Sequence, residues 1–256
     1  MGDILDKFIE KAKENVKSGY YKEHAHYAGK RVSLKKKLDS QKFVLITEIK
    51  HASPAGEYSF GNIDVEKTAM DFAQCGSDAI SVVVEPQIFR GSLGNVPVAK
   101  KAGLPVLFKD FVISGEQISA AGDCGADAML LVVKVAQRLG LDLDGMIDEA
   151  HKKGLEVLLE TYDAEEMRIA MDTKADILGI NNRDLRTLKV DLGRTRGIME
   201  AAGEIGKPVI SESGIRVADD VLLVRQSGVK GVLVGTAIWK AADLREKVRE
   251  LKGGAV

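Results

Sequence analysis

An α/β barrel of eight parallel strands is predicted by three observations. Short apolar runs alternate with helical patterns along the whole chain. Two templates recur with a period near fifty residues. Nearly every apolar run ends in a polar or charged residue. The first template, small-Gly-x-Asp-Ala leading into an apolar run, is CGSDAISVVVE (75–85) and CGADAMLLVVK (124–134), with looser copies TKADILGIN (173–181) and SGVKGVLVG (227–235). The second is AGLPVLFK (102–109), KGLEVLLE (153–160) and IGKPVISE (205–212). A period that long, holding two strands, means two strand–helix units per repeat. With FVLITEI (43–49) the seven template strands make eight. Strict strand–helix alternation implies parallel strands and right-handed crossovers, and eight such units close into a TIM-type (β/α)₈ barrel. The rival, an open doubly wound sheet, lacks a G-x-G-x-x-G after its first strand.

In order, residues 3–18 form an amphipathic helix with Ile4, Leu5, Phe8, Ile9, Ala12 and Val16 on one face. Residues 19–42 read as polar and irregular, with Lys35, Lys36 and Lys37 a solvated surface or, alternatively, a phosphate attractor. FVLITEI is apolar enough to be buried on both faces, yet ends in Glu48 and Lys50, which makes sense if that end opens into a site. Helical patterns then fill 64–74, 94–102, 115–123, 142–152, 163–171, 192–202, 217–227 and 241–250. The template glycines suit helix C-termini, where a positive φ is needed. The expectation is one domain over 1–256: a helical extension (1–42) and the barrel (43–256).

Composition narrows the function. Hydrophobic residues at 45% and charged residues at 29% fit a globular chain, and the formal net charge of −1 provides no basic field for nucleic acid. No apolar run is long enough to cross a bilayer, and the charged N-terminus is not a signal peptide. Cys75 and Cys124 read as buried free thiols in a cytoplasmic setting. No H-E-x-x-H, C-x-x-C or P-loop occurs; His24 and His26 read as surface histidines, and no metal or cofactor is expected. Oligomeric state is not legible; a monomer or weak homo-oligomer is the working expectation.

Barrels of this kind place their chemistry at the C-terminal strand ends. Those ends read Glu48 with Lys50, Glu85, Lys109, Lys134, Glu160, Asn181, Glu212 and Gly235. Carboxylates and lysines gathered in one mouth shift one another's pKa values, as acid–base work requires; rim salt bridges would explain a pair but not the ring. The loops Ser211-Glu212-Ser213-Gly214 and Gly235-Thr236 sit where barrels cradle phosphate on backbone N–H groups.

Several blocks together resemble the indole-3-glycerol phosphate synthase family: TEIKHASPAG (47–56), FRGS (89–92), PVLFKDFVI (105–113), ADAMLLVVK (126–134), LEVLLE (155–160), LGINNRDLRTL (178–188), ISESGI (210–215) and VLVGTAIW (232–239). The resemblance spans essentially the whole chain. It implies a cofactor-free carboxy-lyase of tryptophan biosynthesis acting on a phosphosugar–anthranilate substrate. It implies Lys109 as general acid, Lys50 holding the substrate carboxylate, Glu160 handling protons during dehydration, and Glu48 and Glu212 orienting the lysines and substrate hydroxyls. It implies Asn181, Arg183 and Ser213 as polar contacts, and Ser53, Gly214, Gly235 and Thr236 as the phosphate cradle. Phe89, Phe111, Pro54 and Leu130 would line the aryl pocket, with Phe8 covering it; each aromatic could equally be core packing. The chain departs from the family at His51, where an arginine is usual, which weakens local positive charge. Thr47 and Thr236 replace the usual Ala and Ser. Another phosphosugar barrel (an isomerase, or a Schiff-base aldolase on Lys109 or Lys134) and a non-catalytic binding barrel are the alternatives.

Overall fold

The structure, a computed structural model, describes residues 3–22 and 26–255. Eight strands, β1 Val44–Ile49, β2 Ala79–Val83, β3 Val106–Lys109, β4 Ala128–Val132, β5 Glu156–Thr161, β6 Ile177–Asn181, β7 Val209–Glu212 and β8 Gly231–Val234, pair in sequence order. All pairings are parallel, and β8 closes onto β1 with Val234 opposite Thr47. The predicted (β/α)₈ barrel is therefore the fold. One residue set from the strands, Ile46, Ala79, Leu107, Ala128, Leu158, Ile177, Ile210 and Leu233, packs inside the barrel. The alternate set, including Leu45, Ile80, Phe108, Met129, Leu159 and Val232, packs under the surrounding helices. Burial on both faces is why the strands read as continuous apolar runs.

The helices are α1 Ile4–Lys17, α2 Leu34–Ser40, α3 Val65–Gln74, α4 Asn95–Ala99, α5 Gly115–Asp123, α6 Val133–Leu139, α7 Leu143–Lys152, α8 Ala164–Asp172, α9 Gly193–Ala202, α10 Ala218–Arg225, α11 Thr236–Trp239 and α12 Leu244–Ala255. Asp3 and Asp6 cap α1 reciprocally, at 3.0 and 3.1 Å. The segment expected to be irregular holds a short 3₁₀ turn (Tyr20–Lys22) and α2. Ser33 caps α2, and Leu34 and Leu38 close the barrel floor against Val44 and Ile46. The lysine run sits on the turns of this helix away from the floor, with Lys35 bonded to Asp39 at 2.7 Å. The extension thus covers both ends: α2 below and α1, through Phe8, above. His24 lies outside the described residues; His26 is exposed beside Asp123. No helix among the described residues is long and apolar enough to cross a membrane.

The repeated Gly-x-Asp template has a physical job. Gly76 and Gly125 take positive φ (98° and 85°) as helix-terminating residues; Gly206, in the other template, does not. The aspartates two residues further on staple the floor. Asp78, Asp127 and Asp176 accept the backbone N–H of Leu45, Val106 and Val157 at 2.8, 2.7 and 2.8 Å. Each also meets a basic side chain: Lys252, Lys100 and His151, at 2.6, 2.6 and 2.8 Å. The middle pair is the most enclosed, with Lys100 5% and Asp127 2% exposed. Asp127→Ala strands a buried ammonium and two backbone donors, Val32 and Val106. Its expected cost is about 3–5 kcal/mol, read as a lower urea midpoint at unchanged slope. A loss below about 1 kcal/mol would place the pair among ordinary surface bridges.

Candidate active site

At the C-terminal strand ends a cavity of about 580 Å³ opens between α1 and the loops after β6, β7 and β8. Lys109, the last residue of β3, is its electrostatic centre. Its Nζ lies 2.9 Å from Glu212 Oε2 and 3.2 Å from Glu48 Oε2. Glu48 reaches Lys50 with its other oxygen at 2.7 Å. Glu212 is wholly buried beneath Lys109; Glu48, Lys50, Lys109 and Glu160 line the cavity itself.

The group is largely buried, so its charges govern one another. Burial would raise the Glu48 pKa, but Lys50 and Lys109 outweigh it and hold the carboxyl down at about 2. Burial would lower the Lys109 pKa, but Glu212, Glu48 and Glu160 outweigh it and push it well above the usual lysine value. Glu160 moves the other way: burial, reinforced by Glu212, pushes it up to about 8, although Lys109 and a hydrogen bond with Asn181 oppose the rise. The site therefore rests with an ionised Glu48, a protonated Lys109 and a protonated Glu160 at neutral pH.

At one side of the cavity, Phe8, Phe89 and Phe111 form an aromatic wall. Phe8 stacks on Phe111 at 4.7 Å between centroids and lies 5.8 Å from Phe89. Pro54 and Leu130 join the lining, as do Leu185, Leu188 and Val190, which the sequence reading missed because their loop follows no strand-end pattern. At the other side stand Ser213, Gly214, Gly235 and Thr236. Ser213 and Gly214 both take positive φ (66° and 85°), and a Cβ on Gly214 would sit 2.5 Å from Val190 Cγ1. Thr236 opens α11, whose first N–H groups have no intrahelical partner. Arg216 from the loop after β7, Lys240 just past α11 and Lys247 of α12 add cations to this side, from positions beyond the strand-end residues.

Asn181 and Arg183 line the cavity; Asn181 Oδ1 accepts from the Arg183 backbone at 2.9 Å, and the Arg183 guanidinium donates to Leu188 O at 3.1 Å. Ser53 sits behind the rim, buried, its hydroxyl donating to Glu57 at 2.9 Å. His51 is half-buried; burial lowers its pKa, so it brings no charge at neutral pH, and its Nδ1 has no hydrogen-bond partner among the described residues.

Two strand-end residues leave the expected ring. Lys134 falls in α6 rather than at the end of β4, and pairs with Glu166 at 2.8 Å away from the cavity. Glu85 stands at the rim, but its carboxylate is occupied. It accepts from the backbone N–H of Gln87, Ile88 and Phe89 at 2.9, 2.6 and 3.0 Å, and from Asn15 of α1 at 3.2 Å. It orders the Phe89 loop and ties down the helix carrying Phe8.

An ammonium clasped by two carboxylates, a third carboxyl whose pKa is pushed up, an aromatic wall and a cation-bearing side meet at the mouth of a (β/α)₈ barrel, the end where enzymes of this fold carry their chemistry. Comparison with known proteins gives the particular kind. The chain belongs to the indole-3-glycerol phosphate synthase family, whose model matches residues 5–251. Members are carboxy-lyases of tryptophan biosynthesis. Synthases from Bacillus cereus and Bacillus mycoides are 35% and 36% identical, each aligned over 98% of this chain and 99% of the relative. Solved structures show the fold alone. Thiamine phosphate pyrophosphorylase from Pyrococcus furiosus (TM-score 0.62, 20% identity) covers 84% of this chain and 96% of its own. The 3-hexulose-6-phosphate synthase of Salmonella typhimurium (0.63, 17%) covers 83% and 98%.

Proposed function

We propose that this chain closes the indole ring of 1-(2-carboxyphenylamino)-1-deoxyribulose 5-phosphate, with the following residue roles. The aryl ring lies against Phe8, Phe89 and Phe111, and the phosphate against Ser213, Gly214, Gly235 and Thr236. Ser53 joins the phosphate only on giving up Glu57. Lys50 and Arg183 hold the carboxylate.

The ring carbon bearing the carboxylate attacks the ribulose ketone. A carbon–carbon bond forms, and Lys109 gives a proton to the ketone oxygen. The carbon–carboxylate bond then breaks; its electron pair restores the aromatic ring and carbon dioxide leaves. Glu160, resting protonated, gives its proton to the departing hydroxyl. As a carboxylate it takes a proton from the neighbouring ring carbon, ending as it began. One proton from solvent restores Lys109, so the balance is indole-3-glycerol phosphate, carbon dioxide and water.

The Lys109 clasp between Glu212 and Glu48 carries this reading. An amine held protonated suits an acid toward a developing alkoxide, which is the stronger base. It does not suit a Schiff-base nucleophile, which needs a depressed pKa. The test is a fluorescence assay of product formation in EDTA. Turnover supports the reading; tight substrate binding without turnover overturns it. Within the same assay, Arg183→Ala is expected to raise KM about tenfold or more while kcat moves less, as loss of one charge-assisted clamp predicts. A change confined to kcat would remove Arg183 from substrate binding.

A further inference from the structure

Four neighbouring strands alternate glycine and glutamate at the mouth: Gly179 on β6, Glu212 on β7, Gly235 just beyond β8, and Glu48 on β1. A Cβ added to Gly179 would lie 2.5 Å from Glu212 Oε1, and one added to Gly235 would lie 2.5 Å from Glu48 Oε1. Both distances are well inside van der Waals contact. Each glutamate turns its remaining oxygen, Oε2, to the Lys109 amine, at 2.9 and 3.2 Å.

The backbone does not demand glycine at either place. Neither residue has a positive φ, and Gly235 sits at φ −120°. Glycine inside a strand ordinarily weakens it, and often marks a close approach by another group. Here the approaching group is a carboxylate. Glu212 Oε1 is buried, with no hydrogen-bond partner among the described residues, so its position depends on the space left over β6. Filling that space forces the enclosed carboxylate to move, and rotating it clear of a Cβ carries Oε2 off Lys109.

We infer that Gly179 and Gly235 are positioning residues, each leaving the gap through which a neighbouring glutamate extends to clasp the Lys109 amine. The inference rests on the site described above, with Lys109 as its acid. Gly235 also lines the phosphate side, so Gly179 gives the cleaner test.

The experiment is Gly179→Ala in the full chain, with two readouts. One is kcat against KM. The other is the rate at which Lys109 is acetylated by acetic anhydride at high pH, followed by peptide mass spectrometry; a clasped ammonium reacts slowly. The expected result is kcat lower by about 10²-fold, as for a displacement near 1 Å, with KM within about threefold and faster labelling of Lys109. Unchanged labelling overturns the inference whatever happens to kcat, because the effect would then not run through the lysine's partners. Faster labelling with unchanged kcat upholds the clasp and instead removes Lys109 from its catalytic role. Should Gly179→Ala fail to fold, Gly235→Ala is judged by Lys109 labelling alone, because Gly235 also lines the phosphate side: faster labelling supports the inference and unchanged labelling overturns it.

Discussion

Lys109→Met lowers kcat by about 10²–10⁴-fold, the contribution of one positioned acid, while product still binds. The product no longer has a ketone oxygen to protonate, so the lysine's loss falls on the transition state and not on the bound product. A second effect accompanies the first. Without the ammonium, Glu212 loses the cation at 2.9 Å and Glu48 keeps only Lys50 at 2.7 Å. The variant is therefore expected to be less stable at neutral pH, and to recover as acid protonates the unpaired carboxyls. Lys109→Arg separates the two effects. Arginine keeps the charge but does not give up a proton at working pH. It should restore most of the stability and little of the turnover. Near-wild-type kcat in either variant would move the acid role elsewhere.

The strand-end pattern made the polar set at the mouth legible because a barrel converts chain position into spatial position. Glu48, Lys109, Glu160, Asn181 and Glu212 are far apart in sequence and are brought together by register alone. The same reasoning failed where a strand ended earlier than its apolar run. Val133 continues the hydrophobicity of β4 but starts α6, so Lys134 turns away to Glu166. Glu85 failed differently. Its place was right, but its partners include Asn15, a polar residue on the apolar face of α1 whose burial nothing local in the sequence announces. The last helical pattern, 241–250, runs on in α12 through Gly253 and Gly254; a Cβ on Gly254 would lie 2.6 Å from Ala218 O, so the residue is a contact with α10. Gly179 was read only as part of a repeat. In each case the deciding neighbour is distant in the chain.

Glu160→Gln is expected to lower kcat by about 10²–10⁴-fold and, at alkaline pH, to make the protein more stable. Both follow from a carboxyl whose pKa is pushed to about 8 by burial and by Glu212. In the unfolded chain the same group titrates near 4.5. Between those values the folded state holds a proton that the unfolded state has released, so stability falls as pH rises from about 4.5 to about 8. Above that window the native protein carries a buried charge it tolerates poorly. Glutamine mimics the protonated form at every pH. The variant's melting temperature should match wild type near pH 4 and exceed it at pH 9 by about 10 °C or more, since a shift from about 4.5 to about 8 is worth up to about 5 kcal/mol. In the proposed mechanism catalysis uses the same proton. Wild-type kcat should decline as pH rises through about 8, where Glu160 loses the proton it gives to the departing hydroxyl. The residual activity of the variant should lack that limb. A wild-type profile that instead rises through the same pH would make Glu160 a base from the outset and reverse the order of its two proton transfers. Equal melting temperatures at pH 9 would mean that Glu160 titrates as an ordinary carboxyl, and the stored proton would have to sit on another group.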